Sequence, residues 1–178
     1  MPFRPIETPR LMIRKFRADD AASLYTYLSK EAVVRYEPYD PYTPEQARRE
    51  AEFRANSDDF FAVTLKTTGQ LIGNLYLSRR EYDSMELGYV FDTTWQGCGY
   101  ATEASRALLD YAFGTLAVHR VTAYCDPRNY RSWKLMERLG MRREGEHRQS
   151  VWFRRNAAGE PIWQDTLTYA ILRSEWTK

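Results

Sequence analysis

Apolar residues along the chain change period several times, and each change marks an element. In "RLMIRKF" (residues 10–16), Leu11 and Ile13 alternate with polar and basic side chains, the two-residue period of a strand. "ADDAASLYTYLSK" (18–30) opens on acids and sets Ala22, Leu24, Tyr25 and Leu28 at helical spacing. The prolines of "RYEPYDPYTP" predict a loop. Thr43 closes it as an N-cap, with Pro44 at the first helical position and Gln46 completing a capping box. "FFAVTLKTTGQLIGNLYLSRR" (60–80) is two apolar runs around Thr68-Gly69, which predicts a hairpin, and "MELGYVF" (85–91) is a further strand.

The period then lengthens again. "YATEASRALLDYAF" (100–113) places Ala101, Ala104, Leu108, Tyr111 and Ala112 on one helical stripe. "HRVTAYCD" (119–126) reads as a strand, and "YRSWKLMERLG" (130–140) as a short helix ended by Gly140. "RQSVWFRR" and "IWQDTLTYAILR" read as two strands joined by a turn at Ala158-Gly159. The order predicts an α/β fold of the mixed α+β kind. Its sheet has about seven strands, mostly antiparallel, with hairpins at both ends and a β-α-β crossover between them.

Composition narrows this picture. With 178 residues, 43% apolar and 28% charged, the chain has the size and make-up of one globular domain, residues 1–178. A net charge of +2 offers no global attraction to nucleic acid or to an anionic membrane. "MPFRPIETPRLMIRKF" is broken by Pro and Arg, and no run of 18 apolar residues follows, so neither a signal peptide nor a membrane span is expected. The expected location is cytoplasmic. Cys98 and Cys125 stand alone without metal-ligand spacing, and the sequence predicts two free thiols and no metal.

The candidate chemistry lies in "TTWQGCGYATEA" (93–104), where Gly97 and Gly99 sit between an apolar strand and a helix. The first turn of a helix presents unbonded N–H groups, and glycines let a ligand approach them closely. Such a mouth favours phosphate. A tight strand-to-helix turn is the other use of these glycines. A P-loop would need Lys after its second Gly, and a dinucleotide fingerprint would need Gly where this chain has Thr102.

Gln96-Gly97-Cys98-Gly99-Tyr100-Ala101 fits Q/R-x-x-G-x-G/A, which resembles the pyrophosphate loop of the GCN5-related N-acetyltransferase (GNAT) family. Asn129, Ser132 and "ERLGM" (137–141) resemble that family's second signature, and both ends of the chain are similar to its RimJ/RimL branch, which acetylates protein N-termini. The resemblance implies the GNAT acyl-CoA fold, with acetyl-CoA as co-substrate. Its diphosphate would lie on the N–H groups from Gly97 to Thr102, Cys98 contributing backbone rather than acting as a nucleophile. In that fold the strand before the loop splays from its parallel neighbour. The pantetheine arm would then lie beside Val90 and Phe91, with Asn129 and Ser132 opposite. Asn129 serves equally as a helix N-cap, and Arg128 and Arg131 are the candidates for the outer phosphate.

For catalysis the resemblance implies direct attack by an amine in a ternary complex. A backbone N–H of the 85–91 strand polarises the thioester carbonyl, Glu86 is the candidate base and Ser132 the candidate acid. Glu86 is equally an exposed strand residue. Two departures stand out. The Tyr acid of many relatives falls at Met136, and a glutamate expected beyond "EG" falls at Val151. Without an obvious strong base, an α-amine (pKa about 8) suits the site better than a lysine (about 10.4), which costs roughly 3 kcal/mol more to deprotonate at neutral pH.

The acceptor side is expected at "RYEPYDPY" (35–42), where Tyr36, Tyr39 and Tyr42 form an aromatic wall or simply cap the core. The acceptor is a protein N-terminal α-amine or a small-molecule amine. Two other readings are a non-catalytic CoA-binding regulatory module and a plain nucleotide-binding domain, the latter lacking its Lys or ribose-binding acid. Trp95, Trp133, Trp152 and Trp163 are expected in core or interface, and the aromatics near the tail suggest a homodimer.

Overall fold

The computed structural model describes residues 3–176. Its centre is a mixed sheet of eight strands in the order β1-β2-β3-β4-β5-β6-β8-β7. The strands are β1 (Ile6–Glu7), β2 (Leu11–Lys15), β3 (Phe60–Leu65), β4 (Leu71–Arg80), β5 (Ser84–Phe91), β6 (Arg120–Cys125), β7 (Arg142–Arg155) and β8 (Pro161–Leu172). The helices are α1 (Ala21–Leu28), α2 (Glu31–Val34), α3 (Pro44–Ala55), α4 (Tyr100–Asp110) and α5 (Tyr130–Arg138). The strand beyond the expected seven is β1, two residues pairing Ile6 with Ile13, too short for any period to show.

Local chemistry explains most boundaries. The helix expected over 18–30 begins as a 3-10 turn at Ala18–Asp20. The Asp20 carboxylate accepts from the Arg17 N–H at 2.8 Å at this start and from both terminal nitrogens of Arg14, at 2.8 and 2.7 Å. At α3 the capping box forms as read. Thr43 Oγ1 accepts from the Gln46 N–H at 3.2 Å, and Gln46 Oε1 accepts from the Thr43 N–H at 2.8 Å. Past Asp110, α4 widens into a π-turn, Tyr111–Thr115. The strand expected from 148 starts earlier, at Arg142, because an edge strand wetted on both faces carries no alternation to read.

The sheet has two apolar faces. One packs Leu75, Leu77, Leu87 and Phe91 under α4 and α5 through Leu108, Leu109, Leu135 and Met136. The other packs Ala62, Leu71 and Val90 against Leu24, Tyr27 and Leu28 of α1 and Ala47 and Ala51 of α3. Every neighbouring pair is antiparallel except β5 and β6, which are parallel and meet only at Ser84↔Arg120, Met85↔Val121 and Glu86↔Thr122. Beyond Glu86 the two strands part. The last residues of β5 therefore present one edge to no strand, and the gap opens toward both faces of the sheet. Among the described residues no helix is long and apolar enough to cross a membrane.

Candidate active site

The chain leaves β5 at Phe91, makes a 3-10 turn at Thr93–Trp95 and enters α4 at Tyr100. Asp92 holds this corner: its Oδ1 caps the turn through the Thr94 N–H at 3.0 Å and receives Lys30 Nζ at 2.7 Å. Gly97 and Gly99 have φ of +79° and +81°, a region where a side chain is strained by roughly 1–2 kcal/mol. A Cβ added at Gly97 would meet nothing within 4 Å; at Gly99 it would face Arg10 Nη2 at 3.4 Å. Glu103 N–H is the first of the helix to close, onto Gly99 O at 3.0 Å. The N–H groups of Gly97, Cys98, Gly99, Tyr100, Ala101 and Thr102 donate to nothing among the described residues. That leaves a row of convergent donors, on the positive end of a helix, beside exposed glycines. The row fits a diphosphate.

Side chains around the loop hold its shape. Gln96 is a bridge: its Nε2 donates to Phe91 O at 3.0 Å, and its Oε1 accepts from Arg131 Nη1 at 2.6 Å. Cys98 is exposed, with only a 3.8 Å thiol contact to Gln96 O. Arg128 is committed elsewhere, its Nε 2.9 Å from Asp126 Oδ1. Two further cations were not singled out from the sequence. Arg138 Nε reaches Thr102 Oγ1 at 3.4 Å. Arg10 donates to Glu103 Oε2 at 2.6 Å and to Cys98 O at 3.0 Å, and its guanidinium lies 4.4 Å from the Tyr100 ring centre. Burial alone would raise the Glu103 carboxyl, but hydrogen bonds from Thr8 and Arg10 hold it below its ordinary value.

In the gap between β5 and β6, Val90 and Phe91 are buried on opposite faces of the strand. Across it, Asn129 Oδ1 accepts from the Ser132 N–H at 3.3 Å, so its side chain does cap α5. Ser132 Oγ lies 2.9 Å from the hydroxyl of Tyr89, which also donates to Ser132 O at 3.0 Å. Tyr89 thus brings a phenol to the gap that Met136, fully buried in the core, cannot supply. Burial raises the Tyr89 hydroxyl above its ordinary value and the bond to Ser132 draws it back. Nearby, burial pushes the Cys125 thiol up to about 11.

The gap is the floor of one groove of about 1820 Å³, which runs from the Gly97 loop to residues 35–42 and the β7–β8 hairpin. Tyr36, Tyr39 and Tyr42 all line it, as does Val151. Tyr39 and Tyr42 pack against each other at 5.1 Å between ring centres and against the α1–α3 core. Tyr39 and Tyr42 thus cap the core while also lining the groove. Glu86 lines the groove too, on the strand face opposite Leu87 and Tyr89, with its Oε2 receiving Arg80 Nε at 3.0 Å. Among the groove carboxylates that no sequence motif marks is Glu37, half-buried between Tyr36 and Pro38, where an acid inside an aromatic-proline run is the only signal. Burial pushes its carboxyl up to about 7, against the downward pull of the Arg54 charge and Tyr39. Trp95 and Trp133 pack against the main core, whereas Trp152 and Trp163 face each other on the hairpin and are 40% and 51% exposed. Among the described residues no His, Cys, Asp and Glu group is placed to hold a metal.

Comparison with known proteins gives a consistent set of relatives. The family model described as "Acetyltransferase (GNAT) domain" matches residues 10–142. YnaD, an uncharacterized N-acetyltransferase of Bacillus subtilis (strain 168), is 35% identical over 176 residues, covering 96% of this chain and 98% of its own. The [ribosomal protein uS5]-alanine N-acetyltransferase of Escherichia coli (strain K12) is 28% identical over 186 residues, covering 97% and 92%. The crystal structure of a GNAT-family acetyltransferase from Bacillus anthracis superposes with a TM-score of 0.88 at 33% identity, over 97% of this chain and all of that one.

Proposed function

The chain belongs to the GNAT acetyltransferase family and is an N-acetyltransferase, and from that premise we propose that it transfers acetyl from acetyl-CoA directly to the free α-amine of a peptide or a similarly acidic small amine. The observation that carries the reading is the row of six free N–H groups from Gly97 to Thr102, opening onto the gap between β5 and β6. Exposed helix-terminus contacts to an anion contribute roughly 0.3–1 kcal/mol each, so a diphosphate needs several at once. Arg131 and Arg138, flanking the loop through Gln96 and Thr102, add the charge.

Acetyl-CoA supplies an activated thioester; the chain's own residues do the rest. The unpaired edge of β5 beyond Glu86 offers backbone donors to the pantetheine arm and to the thioester oxygen. Val90 and Phe91 wall the arm on one side and Asn129 and Ser132 on the other. Holding amine and thioester together contributes much of the rate. The Ser132 and Tyr89 hydroxyls, 2.9 Å apart, form a pair from which the departing thiolate takes its proton. Tyr36, Tyr39 and Tyr42 shape the acceptor end. Glu86 remains the base suggested by position on the strand, with its carboxylate already engaged by Arg80.

An α-amine acceptor is supported by the relative that acts on the alanine of ribosomal protein uS5, and by proton chemistry that favours the more acidic amine. Thiol release from acetyl-CoA tests the reading, using a peptide with a free N-terminus, an N-blocked lysine peptide and spermidine. The α-amine is expected to react fastest near neutral pH. A preference for lysine would overturn the choice of acceptor, and CoA binding with no thiol release from any amine would overturn transfer itself.

A further inference from the structure

The far end of the groove is roofed by residues 35–42, and this roof is fastened on both rims. The Tyr36 hydroxyl donates to Arg128 O at 3.3 Å, before α5. Arg154 of β7 donates to Tyr39 O at 3.2 Å and to Asp40 Oδ1 at 3.0 Å. Between those fastenings the Glu37 N–H donates to Val34 O at 2.9 Å, which fixes the backbone from which its carboxylate hangs.

Five carboxylates line the groove: Glu37, Glu50, Glu86, Asp126 and Asp165. Three have a cation of their own. Glu50 receives Arg54 Nε at 2.7 Å, Glu86 receives Arg80 Nε at 3.0 Å and Asp126 receives Arg128 Nε at 2.9 Å. Asp165 accepts the Gln149 N–H at 2.8 Å, on the hairpin. Glu37 and Asp165 have no ion pair among the described residues, and of the two it is Glu37 that hangs from the roof and whose charge reaches the Tyr89 hydroxyl.

Its surroundings are unusual for a free acid. Arg54 of α3 is 2% exposed and packs on the Phe60 ring at 4.7 Å, with Nη1 finding no hydrogen-bond partner among the described residues. Tyr27 of α1 and Tyr39 and Tyr42 of the roof crowd the same guanidinium. Tyr89 stands within the field of Glu37 from the β5 side. One cation, Arg54, thus faces Glu37 from α3, already shared with Glu50, and the other neighbours are neutral phenols.

We propose that Glu37 is the catalytic residue that receives the acceptor's amine and takes its proton. The inference rests on the acetyl-transfer reading above and deepens it. The nitrogen lone pair forms the C–N bond as the C–S bond breaks. The N–H proton passes to Glu37, and the thiolate takes a proton from the Ser132–Tyr89 pair, so acid and base work from opposite sides of the splayed strands. The required acceptor is an amine whose proton a carboxylate can accept near neutral pH.

The test compares wild type, Glu37→Gln, Glu37→Asp and Glu86→Gln, with the free-N-terminus peptide as acceptor and rates followed from about pH 5.5 to about pH 9. Wild-type kcat/KM should rise with an inflection near 7. Glu37→Gln should lower kcat about 10²–10⁴-fold and abolish the inflection, with CoA affinity by calorimetry unchanged. Glu37→Asp should restore the inflection in part, and Glu86→Gln should retain it. If Glu37→Gln keeps the inflection and most of its rate while wild type is active, the role of Glu37 is overturned and acetyl transfer stands. Loss of the inflection in Glu86→Gln instead assigns the base to Glu86. A wild type that binds CoA and acetylates no amine overturns both readings together.

Discussion

The two ends of the groove are built by different means. At the end proposed for the phosphates the free groups are backbone N–H groups of six successive residues, Gly97 to Thr102, set by two left-handed glycines and one helix start. At the end proposed for the acceptor, Tyr36, Glu37, Tyr39 and Tyr42 come from the roof loop, Glu50 and Arg54 from α3, Phe153 from β7 and Asp165 from β8, and side chains form the lining. A backbone site is local, tolerant of side-chain identity and written in consecutive residues. A side-chain site is assembled by the fold, and each member depends on the charge and burial of the others.

The contrast can be broken first at Glu50. Its loss leaves the buried Arg54 guanidinium without its carboxylate, so Glu50→Ala should cost about 3 kcal/mol in urea denaturation. CoA affinity of the folded fraction should be unchanged, since nothing at the phosphate end depends on this pair. If the variant lost CoA binding while folded, the two ends would not be independent.

Next in size is the phosphate end itself. Val at both Gly97 and Gly99 forces β-branched side chains into φ near +80° and closes the approach to the N–H row. CoA affinity should fall by about a hundredfold, corresponding to about 2.7 kcal/mol. The folding midpoint should change less, because neither glycine packs in the core.

A smaller effect is expected between the two ends. Removing the Tyr89 hydroxyl (Tyr89→Phe) or the Ser132 hydroxyl (Ser132→Ala) should lower kcat by about 10–100-fold and leave KM for acetyl-CoA nearly constant. The double variant should be little worse than either single one if the hydroxyls act as one unit, and multiplicative losses would separate them.

The last is a pH effect on stability. The Glu37 carboxyl sits at about 7 in the fold against an ordinary 4.5. The folded state therefore holds this proton more tightly, and its contribution is fully present below 4.5 and lost as pH rises through 7. Glu37→Gln should thus raise the melting temperature at about pH 8 and have little effect at about pH 4.5. A variant equally shifted at both would show that Glu37 is not buried as a neutral acid.

The same contrast governs what the chain discloses before it is folded. The Gly97–Gly99 loop, the α3 capping box and the hairpin at Gly69 each follow from a few neighbouring residues, and each appears where those residues put it. The amphipathic elements follow their periods. The opening of α1 and the start of β7 do not: Asp20 pairs with Arg14 at one, and an edge position erases the alternation of the other. Tyr89 reads as one more strand aromatic until α5 brings Ser132 against it. Glu37 reads as loop polarity until the roof is fastened on both rims of the groove. Arg10 lies 93 residues from the Glu103 it braces, a distance no local pattern spans.

The central claim is that the amides at the mouth of α4 hold the diphosphate of coenzyme A. Amide hydrogen exchange of the wild-type chain, with and without CoA, tests it directly. Exchange should slow at Gly97, Cys98, Gly99, Tyr100, Ala101 and Thr102 and stay unchanged along the roof at 35–42. Measurable binding heat with those six amides exchanging as fast as before would contradict the account.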